Sequence, residues 1–393
     1  MRPTLVVTAL LAVSAAACNT PQSPLVSLGP SFDQVASGGY EITDLGLLGG
    51  SFSEAKDVNA SGQIIGNYST ASGAQHPFIW QNGVMLDLGT GGAFNAVAIN
   101  DAGQVTGDAS LNGQYRAWLW ENGVQTDLGN LDGASQQVIG INNAGQVIGT
   151  SQTASGTFHA YRWSDGVMQD LGTLGGARSF AGDINNRGQV VGSAALADGS
   201  FHAFLWQDGT MRDLGGFGGF TQATAINDAG DVIGTSVDSA GRTHAFFWDG
   251  SMHDIGALPG SSNTGLGDLN NRGQAIGNST GDGTSVTFVW SDGVFTPIGS
   301  LGGSFTFVKR INNRGEVVGT GGTATGEHGF VWRDGTLYDL GTLGGRNSGA
   351  AAINASGIAV GFAADSIVVD THGNGRSHAV MWRPARTTTV AAR

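Results

Sequence analysis

Cysteine occurs once in 393 residues, at Cys18, so no disulfide can staple this chain. Lysine is almost missing as well, at Lys56 and Lys309 only. Lys plus Arg number 18 against 31 Asp plus Glu, a net charge of −13 that repels phosphate backbones and argues against nucleic acid as a partner. Proline adds only 8 residues to 67 glycines, which keeps the pair below the share typical of disordered low-complexity chains. The one long apolar run lies at residues 5–17. Apolar residues still make up 40 % of the chain, ample for a core.

Residues 1–17 carry a single charge, Arg2, ahead of that run, and read as an export signal too short to span a bilayer permanently. Ala15-Ala16-Ala17 before Cys18 resembles the lipobox of bacterial lipoproteins, with Ala15 where Leu is usual. The resemblance implies acylation of Cys18 and a place in the cell envelope, at the outer membrane or surface. Ordinary cleavage after Ala17 would instead leave a secreted protein. Residues 18–38, rich in Ser, Pro and Gly, read as a flexible tether, and 386–393 as a disordered tail. Between them, 39–385 form one domain.

That domain is written in repeats. Trp recurs at Trp80, Trp120, Trp163, Trp206, Trp248, Trp290, Trp332 and Trp382, a period of 40 to 43 residues until the longer last step. An Asn turn recurs with it, at Asn59, Asn100, Asn142, Asn185, Asn227, Asn270, Asn312 and Asn354. Such a period marks a propeller, solenoid or array. Within one repeat, four short β segments are expected at 181–185, 189–193, 202–206 and 210–214. Asn-x-x-Gly joins the first two, and Asn-Gly or Asp-Gly joins the last two, as at Asn82-Gly83 and Asp208-Gly209. The second is a type I′ hairpin signal, because both central residues need positive φ. Adjacent β-branched pairs such as Ile64-Ile65 and Val190-Val191 imply sheets buried on both faces. Those are the blades of a propeller.

After Trp382 the chain reads Arg383-Pro384-Ala385, with no Asp-Gly turn and no fourth strand. The array opens at Tyr40–Gly46, YEITDLG, a fourth strand with no first three. Pairing the two removes both open edges. The fold expected is therefore all-β: an eight-bladed β-propeller of four-stranded antiparallel blades, closed by strand 40–46, acting as a monomer.

Residues needed in every blade belong to the scaffold, whereas a ligand contact is needed once. From turn Asn to the second-strand Gly is always seven residues, as from Asn59 to Gly66, whereas two connections vary in length and share the opposite face. Variable loops on a rigid scaffold are where binding concentrates. That rim carries 51–54, 92–95, 177–180, 261–264 and the long loop 363–377. Candidate ligand contacts are Lys56, Lys309, Arg178, Arg346, Phe180 and Phe94. Lys56 and Lys309 share one repeat position and are expected to pair with a carboxylate such as Asp57 or Asp268. The His four residues before Trp is expected to make a structural hydrogen bond, since equivalent residues of adjacent blades lie too far apart to share a metal at ~2.1 Å. No metal, cofactor or catalytic residue is assigned; Glu54, Asp57, Asp183 and Asp268 remain acids without a role.

HAFLW (202–206), HAFFW (244–248), DLGTLGG (170–176 and 339–345) and INNRGQVVG (184–192) resemble the HAF family of bacterial extracellular repeat proteins, over residues 41–383. The resemblance implies export and repeat β architecture, and no activity. The function expected is a binding or adhesion scaffold for extracellular glycan or protein, touching membrane only through its anchor. The alternative is a hydrolase or lyase acting on polysaccharide at the channel mouth.

Overall fold

A computed structural model of the chain describes residues 35–36, 39–89, 93–111, 113–281, 283–368 and 375–385. Their regular structure is all β, in eight sheets that each contain a four-stranded antiparallel meander. Counted outward from the central channel, blade 1 is Ser53–Val58, Ile64–Ser69, Gln75–Gln81 and Val84–Asp87. Blades 2 to 7 repeat that order down the chain. Blade 8 takes Gly344–Ile353, Ala359–Val368 and Gly375–Pro384 from one end of the ring and Tyr40–Gly46 from the other. The closing register runs Tyr40↔Pro384, Ile42↔Trp382 and Asp44↔Val380. The expected wheel of eight blades is the observed one.

Cys18, the signal segment and the tail 386–393 lie outside the described residues. Within the stretch expected to be tether, Val35–Ala36 run parallel to Thr336–Asp339 and add a fifth strand to blade 7. Nearby, Tyr40 meets Tyr338 edge-on at 6.1 Å.

Local chemistry accounts for the strands. Asn82 and Gly83 sit at φ 52° and 84°, the I′ geometry that the dipeptide favours, and five other hairpins repeat it. Blade 5 departs: of Asp249 and Gly250 only the glycine has positive φ. Each inner strand is bulged, as between Ala55 and Asp57. There its carbonyl crosses over the second strand, where a Cβ on Gly66 would lie 2.0 Å from Glu54 O, and one on Gly192 2.0 Å from Phe180 O. Only glycine fits, so the β-branched pair is always followed by Gly. Ile64 and Ile65 are both fully buried, as a sheet packed on both faces requires. Each core cluster spans neighbouring blades; Trp206, 2 % exposed, packs with Val190 of its own blade and Ile148 of blade 3.

A polar circuit ties the blades at the channel. The eight turn asparagines are 3 to 6 % exposed. Each accepts, on Oδ1, the N–H four residues on, fixing its own turn. Each donates from Nδ2 to the carbonyl of the next asparagine at 2.9–3.3 Å. The last link, Asn354 to Asn59 at 3.0 Å, joins residues 295 apart in sequence.

Candidate functional site

The two faces of the wheel differ in kind. On the face of the constant turns, the channel mouth is a cavity of about 350 Å³ lined by repeated residues such as Ile141, Asn142, Ile184 and Asn185. On the variable face the recurring His is structural, as expected. Nδ1 of His76, His159, His202, His244, His328 and His378 lies 2.7–3.0 Å from the Asp of its blade's Asp-Leu-Gly or equivalent. That Asp also accepts the N–H of the Gly two residues on, as Asp87 does from Gly89 at 2.8 Å. In blade 2 Arg116 replaces His and reaches Asp127 at 3.5 Å. In blade 6 both partners are lost together, to Val286 and Pro297. Among the described residues no group of three His, Cys, Asp or Glu could hold a metal ion; residues 369–374 of the long loop lie outside them.

Three of the unassigned acids are clips. Asp57 accepts Val58 N at 2.8 Å and Ile99 N of the next blade at 3.2 Å. Asp183 joins Ile184 N to Ile226 N, and Asp268 reaches Ile311 N, in the same manner. Enclosure by the inner strands raises all three carboxyls, Asp183 to about 7, although the N–H groups pull the other way. Arg310, open to channel water yet ringed by protein, is held up chiefly by Asp268, with Asp57 and Asp183 adding to it.

Where blades 2, 3 and 4 meet on the variable face, a cavity of about 390 Å³ is lined by Asn95, Asp108, Tyr115, Ser135, Gln136, Gln137, Thr150, Phe158 and Phe180. Its polar groups stand where the repeat breaks. Six residues before the turn Asn, six blades place a hydroxyl: Ser53, Ser179, Thr221, Thr264, Thr306 or Ser348. Ser179, for example, donates to Gly172 O at 2.6 Å and accepts from Ala160 N at 2.9 Å. Blade 3 places Gln136 there, 3 % exposed, with neither amide atom hydrogen-bonded. A buried carboxamide without partners is costly, by ~1–3 kcal/mol. One residue after the second-strand Gly, blade 2 alone carries an acid, Asp108, whose Oδ1 accepts Val138 N at 2.8 Å. Burial lifts this carboxyl to about 6 against the pull of that N–H.

Apolar walls come from a second break. Five residues before the recurring Trp stand Tyr115, Phe158 and Phe201 in consecutive blades, where the other five blades have Gln, Thr, Ser or Glu. Phe201 stacks on Phe180 at 6.1 Å and tilts against Phe220 at 5.7 Å. Tyr115 and Phe220 are about half exposed, at 55 % and 47 %. A second cavity, about 620 Å³, is lined in part by Phe52, Glu54 and Lys56 and adjoins the first at Asn95.

Of the candidate contacts, Phe180 lies in the first cavity. Phe94 is on the inner strand Ala93–Ile99, but its side chain is outside the described set. Lys56 lies in the second cavity and pairs with Glu54, not with Asp57 or Asp268. Glu54 is two residues earlier on the same strand, and past the bulge Asp57 is turned to hold Ile99 N. Lys309 and Arg178 are exposed on blades 7 and 4. Arg346 is spent on Thr325 O, at 2.9 and 3.1 Å. The cations are scattered around the ring and do not converge. Asp108, Gln136, Tyr115 and Phe158 were not singled out from sequence. Stacking the eight repeats and marking the columns they break would have found them.

Neither protein-family models nor curated proteins show a match to this chain. Among solved structures it is similar to the β-propeller domain of the Trilobed protease from Pyrococcus furiosus, at 12 % identity and a TM-score of 0.50, over 74 % of this chain and 98 % of that one. It is similar to the Pyrococcus horikoshii acylaminoacyl peptidase at 12 % identity and TM-score 0.50, over 75 % of this chain and 53 % of that one. A puromycin-hydrolyzing peptidase of Mycobacterium tuberculosis matches at 11 % identity and TM-score 0.50, over 81 % and 60 % of the two chains. This chain therefore spans only about half of the acylaminoacyl peptidase. The likeness is one of fold. The Pyrococcus furiosus domain is described as having an open velcro topology, whereas here the terminal strands are paired.

Proposed function

We propose that this chain is an exported, Cys18-anchored propeller of the HAF type that binds extracellular glycan on its variable face. The observation that carries the reading is the cavity at blades 2 to 4. Departures from an otherwise regular repeat put aromatic rings and unused hydrogen-bonding groups together there. Aromatic faces cover the C–H faces of a pyranose, and carboxamide and carboxylate groups suit its hydroxyls. The adjoining cavity lengthens the site toward a size that fits an oligomer. A hydrolase or lyase with a paired acid would want two carboxylates ~5–9 Å apart across the bond. The two cavities offer Asp108 and Glu54, and Glu54 is already paired with Lys56.

The test is titration calorimetry of the purified protein against a panel of oligosaccharides and envelope proteins. Glycan binding that Phe158→Ala weakens at least about tenfold supports the proposal. Binding to an envelope protein alone, or release of shortened oligosaccharide, would replace it. Export and anchoring are tested separately: Cys18→Ser should move the protein from the membrane to the soluble fraction, and retention in membranes refutes the anchor.

A further inference from the structure

Asp108 carries more than its structural task requires. Its one hydrogen bond, from Val138 N, holds the inner strand of blade 3 to blade 2. Blade 1 does the same work with a neutral group at the equivalent position, Asn67 Oδ1 accepting Ala96 N at 3.0 Å. The negative charge is therefore surplus to the fold, and burial makes it unfavourable. No Lys, Arg or His lines the cavity to offset it, and the nearby basic residue Arg116 faces Asp127. Deeper in, the Tyr161 hydroxyl is buried without a partner, and its proton is held more tightly, by burial first and by Asp108 second. One uncompensated carboxylate thus shares an aromatic-walled cavity with the partnerless Gln136 carboxamide, and acts on the partnerless Tyr161 hydroxyl behind it.

On the reading that the variable face binds glycan, we infer that this cavity selects a sugar bearing a free amine, a 2-amino-2-deoxyhexose unit of an extracellular polysaccharide. The ammonium takes the place of the missing cation beside Asp108. The Gln136 carboxamide meets a hydroxyl on the same ring, and Phe158 and Phe180 cover the apolar faces of that unit and its neighbour. The same charge rejects uronic acids, whose carboxylates would be brought against Asp108 without a counter-ion. N-Acetylation removes the ammonium and with it the reason for preference.

The experiment is calorimetry at pH 7 with four probes: glucosamine tetramer, N-acetylglucosamine tetramer, galacturonic acid tetramer and a tri-lysine peptide. Asp108→Asn keeps the acceptor for Val138 N, as Asn67 does for Ala96, so the ring stays folded; an unchanged melting temperature checks this. The expected result is glucosamine tetramer preferred over its acetylated form by about tenfold or more, the value of one charge-assisted contact. Asp108→Asn should collapse that ratio to near one, with the larger loss falling on the glucosamine tetramer. Equal affinity for both tetramers, preference for the galacturonic tetramer, or a ratio untouched by Asp108→Asn overturns the amine inference while glycan binding stands. Binding of tri-lysine without any sugar binding overturns both.

Discussion

Asn354 closes the ring, and its removal shows whether the closure holds the wheel together. Asn354→Ala deletes three hydrogen bonds: Nδ2 to Asn59 O, and those from Ser356 N and Ile358 N to Oδ1. The Asn59 carbonyl keeps one partner, Gly62 N at 3.0 Å, so it is not left bare. At ~0.5–1.5 kcal/mol net per hydrogen bond, the expected cost is ~1.5–4.5 kcal/mol. Asn185, half a ring away, supplies the control. Its truncation deletes four bonds, to Gln189 Oε1 and Asn227 O and from Arg187 N and Gln189 N, and should cost ~1 kcal/mol more. Urea unfolding followed by tryptophan fluorescence reads both, since each blade carries its own buried or half-buried Trp. If Asn185→Ala is costly and Asn354→Ala shifts the midpoint not at all, the chain ends are not bearing load and the wheel behaves as an open array.

Gly192→Ala should be more damaging than any surface change, because its Cβ would meet Phe180 O at 2.0 Å and the bulge must shift to admit it; a melting temperature within a degree of wild type refutes this. Trp206→Ala should cost ~3–5 kcal/mol in urea unfolding, and a near-neutral result would mean the cluster with Val190 and Ile148 is not close-packed. Asp183 gives the pH test. Its carboxyl rises from 3.8 to about 7 on folding, so the folded state favours the protonated form. Its contribution is full below about pH 4, falls as pH rises toward 7, and is flat above. Asp183→Asn should flatten that stretch of the curve of urea midpoint against pH, and an unchanged slope between pH 4 and 7 refutes the assignment.

Features set by local chemistry were legible. Asn82-Gly83 demands its turn wherever it stands, and Ile64-Ile65 declares two buried faces. The unmatched strand at Tyr40–Gly46 announced its own partner. Features set by contact between strands were not. The inner strand expected at 181–185 begins at Gly175, because Gly175 pairs with Leu196 and the strand runs on through an irregularity to Ser179. A Cβ on Gly176 would lie 2.4 Å from Leu196 O, so glycine is there for closeness and not for bending. The bulges escaped notice because the residues at them, Lys56, Val97 and Gly182, share no chemistry. The candidate contacts were drawn mainly from charge, which is scarce and scattered here. The cavity is instead defined by substitutions, Gln136 for a hydroxyl and Asp108 for a neutral group, visible only when one repeat is laid over the next.

The short parallel strand at Val35–Ala36 sets where the chain enters the wheel. It grips blade 7, and in a ring of eight the position farthest from blade 7 is blade 3, whose Gln136 lines the cavity. Any leash reaching the disc from before Val35 therefore arrives at the rim half a turn from the proposed sugar cleft. On the proposed anchoring through Cys18, the chain thus joins the ring on the side opposite the cleft.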